Sequence, residues 1–205
     1  MATKTVSESR KACEAKLLMN PKYDSDWVQN AAAIMDEYGY NEEDLVPFNS
    51  AQLGVIYDAA AFMSELDKTS NPNNYVFQDL ADNTLNSTQM QLMLAGWRNN
   101  IPNDVLKKFV SPEIPYEFSN YALQAYLEGN DMTPYINAGY DRDQFYEIFC
   151  GLHNKVDVSV YAIPTIPAKV MGLMRHGLEI GYDAATYSDS NYCVKIHYSN
   201  LSTVS

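Results

Sequence analysis

Tyr140-Asp141-Arg142-Asp143-Gln144-Phe145 is the phrase on which the fold turns, because its chemistry recurs at Phe48-Asn49-Ser50-Ala51-Gln52-Leu53 and Leu85-Asn86-Ser87-Thr88-Gln89-Met90. Asn49, Asn86 and Asp141 are residue types that cap helix N-termini, and Gln52, Gln89 and Gln144 follow where an amide can reach back to complete a capping box. The apolar residue before each cap (Phe48, Leu85, Tyr140) can close on the one after the glutamine (Leu53, Met90, Phe145) as a hydrophobic staple. Tyr23-Asp24-Ser25-Asp26-Trp27-Val28 is a looser version of the phrase. Ile114-Pro115 and Ile166-Pro167 open further helices if proline takes the first helical position, where its missing N–H costs nothing. Unit starts then fall at 23, 48, 85, 114, 140 and 166, with steps of 25, 37, 29, 26 and 26.

The later units also repeat in their second halves. Asp131-Met132-Thr133-Pro134-Tyr135, Asp157-Val158-Ser159-Val160-Tyr161 and Asp183-Ala184-Ala185-Thr186-Tyr187 stand 26 residues apart. Gly129 and Gly181 precede two of them, and glycine adopts the left-handed angles that stop a helix. The aspartate can cap a short second helix that carries the tyrosine inward, and Gly39-Tyr40-Asn41 echoes the same joint. Each unit is thus a longer helix, a tight turn and a shorter helix. Such a pair cannot bury its apolar face alone, so neighbours must stack. The expected fold is all-α, a helical-repeat solenoid of about six helix-turn-helix units of roughly 26 residues.

Boundaries follow from this spacing. Residues 1–22 form a polar N-terminal lead, 23–66 the first helical repeats, 67–84 a loop or irregular insertion, 85–191 the main stack and 192–205 a C-terminal cap or tail. The insertion rests on Asp67-Lys68-Thr69-Ser70-Asn71-Pro72-Asn73-Asn74, which is rich in turn formers. In the tail, Val194, Ile196 and Tyr198 alternate with Lys195 and His197, as in a short extended cap.

With 46% hydrophobic and 20% charged residues, the 205-residue chain has the balance of a folded protein. Its net charge of −12 is spread along the chain: residues 1–100 carry 14 acids against 7 bases, and 101–205 carry 12 against 7. Direct nucleic-acid binding is therefore not expected, since neutralising phosphates takes clustered Lys and Arg. A basic protein partner would be attracted, although acidity can also serve solubility alone. Cys13, Cys150 and Cys193 form no disulfide framework. Met1 to Lys16 contains no apolar signal core, and no apolar run approaches the ~20 residues of a membrane span. The expected setting is cytoplasmic.

Gln144-Phe145-Tyr146-Glu147-Ile148-Phe149-Cys150-Gly151-Leu152, followed by Val156-Asp157-Val158-Ser159-Val160-Tyr161-Ala162 and Pro164, resembles a short helical repeat found in proteins of gut Firmicutes and their mobile elements. Gly177-Leu178-Glu179-Ile180-Gly181-Tyr182-Asp183 looks like the same repeat. The likeness is clear over residues 140–190 and degenerate over 23–135. It implies architecture first, with the pattern residues acting as caps, turn glycines and core. It also implies a bacterial or phage setting, where small acidic proteins often inhibit defence nucleases, as anti-CRISPR and antirestriction proteins do.

Several residue sets could carry chemistry, and each has a structural explanation. Cys150-x-x-His153 with Cys193-x-x-x-His197 supplies four zinc-competent side chains. However, Cys150 aligns with His176 and His153 with Glu179 one repeat later, as ordinary helix positions would. A Cys150/His176 nucleophile dyad lacks a nameable orienting group or oxyanion hole. Asp141/Asp143 and Glu42/Glu43/Asp44 could be paired acid/base carboxylates, yet acids at helix starts complement the helix dipole. The nine glycines occur singly and form no phosphate-binding motif, so neither a nucleotide nor any other cofactor is expected. Among the sixteen tyrosines, those that recur in register (Tyr135, Tyr161, Tyr187) read as core, leaving the non-recurring ones as interface candidates. Trp97 reads as packed.

The expected function is non-enzymatic: a helical-repeat protein that binds a protein partner, a basic nucleic-acid-handling enzyme of bacterial defence, and inhibits it. Its expected contacts are Asp36, Glu37, Glu42, Glu43, Asp44, Asp141 and Asp143, on helix starts and inter-unit loops. The alternatives are a scaffold protein and a Cys/His-dependent hydrolase or metalloprotein.

Overall fold

The computed structural model describes residues 8–26, 28–29, 43–67 and 70–183, which are helical with connecting turns and contain no strand. The chain forms two compact units, residues 1–113 and 114–205. The first contains α1 (Glu8–Leu18), a 3-10 turn (Glu43–Leu45), α2 (Ser50–Asp67), α3 (Phe77–Leu80), α4 (Ser87–Arg98) and α5 (Asn103–Phe109). The second contains α6 (Tyr116–Leu127), α7 (Thr133–Ile136), α8 (Arg142–His153), a 3-10 turn (Val158–Val160) and α9 (Ala168–Glu179). Successive long helices pack side by side: α1 on α2 and α2 on α4 in the first unit, α6 on α8 and α8 on α9 in the second. The all-helical expectation holds over the described residues, and the second unit shows the alternation of longer and shorter helices read from the sequence. The tail at 192–205 lies outside them.

The helix starts explain how neighbouring helices are tied. Asn49, Asn86 and Asp141 each accept the backbone N–H of the glutamine three residues on, at 3.0, 3.0 and 2.8 Å, and each glutamine's Oε1 accepts the cap's own N–H. These are the expected capping boxes. The other end of each amide does a second job: Gln52 Nε2 donates to the Leu85 carbonyl, Gln89 Nε2 to that of Ser111, and Gln144 Nε2 to those of Pro164 and Ile166, all within 2.8 Å. Leu85 and Ile166 immediately precede the next caps, so one buried glutamine organises its own helix start and holds the strand of chain entering the next long helix. Glutamate would complete the box equally well but has no N–H to donate.

The proline starts differ in detail from expectation. Pro115 and Pro167 are N-caps, at φ −56° and −57° with ψ 141° and 143°, so their helices begin one residue later. Proline fixes φ but leaves ψ free to stay extended. Pro102 caps α5 with the same angles, φ −56° and ψ 142°.

Four helix ends share one closure. Asn100, Gly129, Lys155 and Gly181 have φ of +59°, +80°, +60° and +92°. The next residue of each donates back to a carbonyl in the last turn: Ile101 to Gly96, Asn130 to Ala125, Val156 to Gly151 and Tyr182 to Gly177. These are Schellman closures that satisfy otherwise orphan carbonyls. Two of the acceptors are also notches. A Cβ on Gly96 would lie 2.2 Å from Leu106 Cδ2, and one on Gly151 would lie 1.8 Å from the Tyr161 hydroxyl. Tyr161 is wholly buried there and donates to the Glu147 carbonyl at 3.1 Å. Asp157 caps its 3-10 turn through the Ser159 N–H, as read, whereas Asp131 bonds the Thr133 N–H from one residue before the α7 cap.

In the second unit the core runs along the inner face of the long helices, where Phe145 stacks on Phe118 with centroids 4.1 Å apart. Burying a side chain of this size stabilises the fold by about 1.5–3 kcal/mol. In the first, the stretch read as an insertion contributes to the core: Tyr75, Phe77 and Leu80 are buried. Asn71 clasps the Tyr75 backbone at both ends, and Asn73 donates to the Tyr75 hydroxyl, which donates to the Trp97 carbonyl. Trp97 is fully buried and its Nε1 donates to Asn103 Oδ1. The lead is likewise more than a polar tail, since α1 buries Leu17.

Candidate functional site

The 26-residue register of the second unit separates what the fold requires from what it leaves free. Positions 122/148/174 carry Ala, Ile and Met, and 125/151/177 carry Ala, Gly and Gly, all buried. Away from those positions the pattern dissolves: 120/146/172 are Asn, Tyr and Gly and 121/147/173 are Tyr, Glu and Leu, none of them buried, while 123/149/175 sets a buried Leu against half-buried Phe and Arg. An aromatic patch lies there. Tyr121 on α6 meets Tyr146 and Phe149 on α8, with centroids 5.5 and 5.1 Å apart, and His153 stacks on Phe149 at 6.1 Å. Tyr146 is 45% exposed, while Tyr121 and Phe149 are half-buried. The patch therefore offers ring surface on two packed helices, where side chains are held without the ordering cost of a loop.

Charges frame it. His153 Nδ1 stands 2.9 Å from the Glu128 carboxylate at the end of α6. On the α9 side, Arg175 Nε donates to Glu147 Oε2 at 2.8 Å, its Nη1 bonds Glu179 Oε1, and Asn154 Nδ2 also donates to Glu179. Burial alone would lower the Arg175 guanidinium, but its hydrogen bonds to Glu147 and Glu179 outweigh this and hold it above its ordinary value. Glu179 is opposed by burial in the same way, and its hydrogen bonds from Asn154 and Arg175 keep it below the usual carboxylate range. The contact with Cys150 is the main reason the Tyr146 phenol is raised. Such a ladder fixes the α8–α9 spacing and leaves the patch to one side of it.

Asp141 is exposed and its carboxylate is engaged as the α8 cap. Asp143, in the first turn of α8, is exposed and makes no ion pair among the described residues. Glu43 and Asp44 lie in the first 3-10 turn, with Asp44 exposed. Asp36, Glu37 and Glu42 lie outside the described residues. So do Cys193 and His197; Cys150 is a free, half-buried thiol next to Tyr146, and His153 is engaged by Glu128. Among the described residues no group of three or more His, Cys, Asp or Glu is placed to hold a metal ion. His176 faces Glu179 of its own helix at 3.6 Å. No helix among the described residues is long and apolar enough to cross a membrane.

A cleft of about 250 Å³ in the first unit lies beside Asp79 and Lys107, which neutralise each other at 2.9 Å. The aromatic patch was missed as a set in the sequence, although Tyr121 and Tyr146 belong to the tyrosines that do not recur in register. No family model matches the chain, and neither a curated protein nor a solved structure does so.

Proposed function

We propose that this chain is a non-enzymatic binding protein that docks a protein partner on the outer faces of its long helices, and that the partner presents a basic surface. The observation that carries the reading is the Tyr121–Tyr146–Phe149 patch, in which Tyr146 is exposed and the other two rings are half-buried, and which interrupts the repeat on the α6–α8 face. Aromatic side chains on a rigid face are the usual anchors of protein interfaces, and depart from the composition of an ordinary solvated helix face. The net charge of −12 supports a basic partner, which it would steer toward encounter. The narrower form of the proposal is a basic nucleic-acid-handling enzyme of bacterial defence, blocked where nucleic acid would lie.

The test is capture from a bacterial lysate on the immobilised chain, washed at low and then high salt, beside the Tyr146→Ser variant. A basic protein held at low salt, released at high salt and lost with Tyr146→Ser supports the proposal. Capture of the same proteins by both chains, with no response to salt, overturns it. Inhibition of a captured nuclease by the parent chain separates the inhibitor from a scaffold.

A further inference from the structure

An aromatic surface on an acidic protein can accept several kinds of basic partner, and two carboxylates narrow the choice. Glu117 precedes Tyr121 by four residues on α6, and Asp143 precedes Tyr146 by three on α8. Those spacings put each acid one turn from its tyrosine on the same helix face. Neither Glu117 nor Asp143 makes an ion pair among the described residues, whereas the other acids beside the patch are engaged, Glu128 by a contact with His153 Nδ1 and Glu147 by an ion pair with Arg175. The two tyrosine rings are 5.5 Å apart, so the free carboxylates belong to adjoining helices and flank one continuous ring surface.

That combination discriminates between the two basic side chains. Lysine brings a compact, strongly hydrated point charge, satisfied by any exposed carboxylate. Arginine brings a planar guanidinium that stacks on an aromatic face and donates in parallel to both oxygens of a carboxylate, at a lower desolvation cost. We propose that the α6–α8 face binds an arginine-bearing segment of a partner protein, with a guanidinium lying on the Tyr146 ring and hydrogen-bonded to Asp143, and Glu117 and Tyr121 providing the neighbouring subsite. This rests on the basic-partner reading and specifies its chemistry. Asp143 is thereby retained from the acids expected at helix starts, whereas Asp141 is engaged in capping.

The probes are fluorescein-labelled nona-arginine and nona-lysine peptides of equal charge, titrated by anisotropy against the full chain at physiological salt. Nona-arginine binds more tightly by about fivefold, the scale of an exposed cation–π contact. Tyr146→Leu, which keeps apolar volume on α8, removes that preference, and Asp143→Asn weakens the arginine peptide more than the lysine peptide. Asp104→Asn, in the first unit, is the control for charge alone and leaves the preference intact. Equal affinity for the two peptides, or an arginine preference that survives Tyr146→Leu, overturns this inference while the basic-partner reading stands. Failure of both peptides to bind overturns the two together.

Discussion

Replacing Gln144 tests the central joint of the second unit, because one buried amide there holds two segments. Its Oε1 accepts the Asp141 N–H at 2.9 Å, and its Nε2 donates to the Pro164 and Ile166 carbonyls at 2.8 and 2.7 Å. Gln144→Ala removes three hydrogen bonds of ~1 kcal/mol each, and because the carbonyls are only partly buried, water recovers some of this. The expected cost is about 2–3 kcal/mol, which for a chain of this size lowers Tm by about 5–10 °C. Gln144→Glu is the sharper variant. It keeps the box acceptor and the side-chain volume, but turns a second oxygen toward two carbonyl oxygens. Its carboxylate is disfavoured when charged, so its folded pKa rises above the unfolded value of about 4.3. A raised folded pKa means that stability is greatest below the unfolded pKa and is lost as pH rises through the folded one. Gln144→Glu is therefore as destabilising as Gln144→Ala near neutral pH and recovers toward the parent on acidification. Thermal unfolding followed by far-UV circular dichroism, across a pH series for all three chains, reads this directly. A Gln144→Glu chain that matches the parent at neutral pH would refute the bridging role of the amide.

Three further substitutions probe other parts of the fold. Gly151→Ala places a Cβ 1.8 Å from the Tyr161 hydroxyl and costs on the order of 1–3 kcal/mol in chemical denaturation, as overpacking does; unchanged stability would show that the notch is not filled. Lys155→Gly relieves a non-glycine residue at φ +60° and raises stability by about 0.5–1 kcal/mol; a loss in the same titration would refute the strain and assign the position to the contacts of Lys155 with Glu128 and Asn130. Burial pushes the half-buried Asp58 carboxyl up, with Arg98 and Lys22 opposing it. The raised pKa makes ionised Asp58 a net cost that appears as pH rises through it, so Asp58→Asn stabilises at neutral pH and the gain vanishes in acid, as paired melting curves would reveal.

What the sequence disclosed was local. A cap and its glutamine are three residues apart, so the box at Asp141/Gln144 is legible without knowing the fold. The second bond of Gln144, to carbonyls 20 and 22 residues further on, is not, because its acceptors are main-chain groups that carry no residue signature. Lys155 shows the same limit at the helix end: glycine marks the left-handed position at 129 and 181, but at 155 a lysine takes it, within the same local closure and with its ammonium on the Glu128 carbonyl and Asn130. The polar run before Tyr75 reads as a loop by composition and its described residues are one, but composition does not show that its asparagines organise backbone around a buried ring. At the candidate site, Asp143 was legible as an exposed acid at a helix start. Tyr121 and Tyr146 were legible only as exceptions to the repeat, since their meeting depends on how α6 and α8 pack.

The glutamine joint also bears on how such a protein can change over generations. Gln52, Gln89 and Gln144 grip the following segment by its peptide carbonyls, which every residue type supplies. A following segment with a different sequence can be received by the same hand, provided its backbone arrives in the same path. A helical segment can therefore be exchanged for another of different sequence without rewriting the joint that receives it.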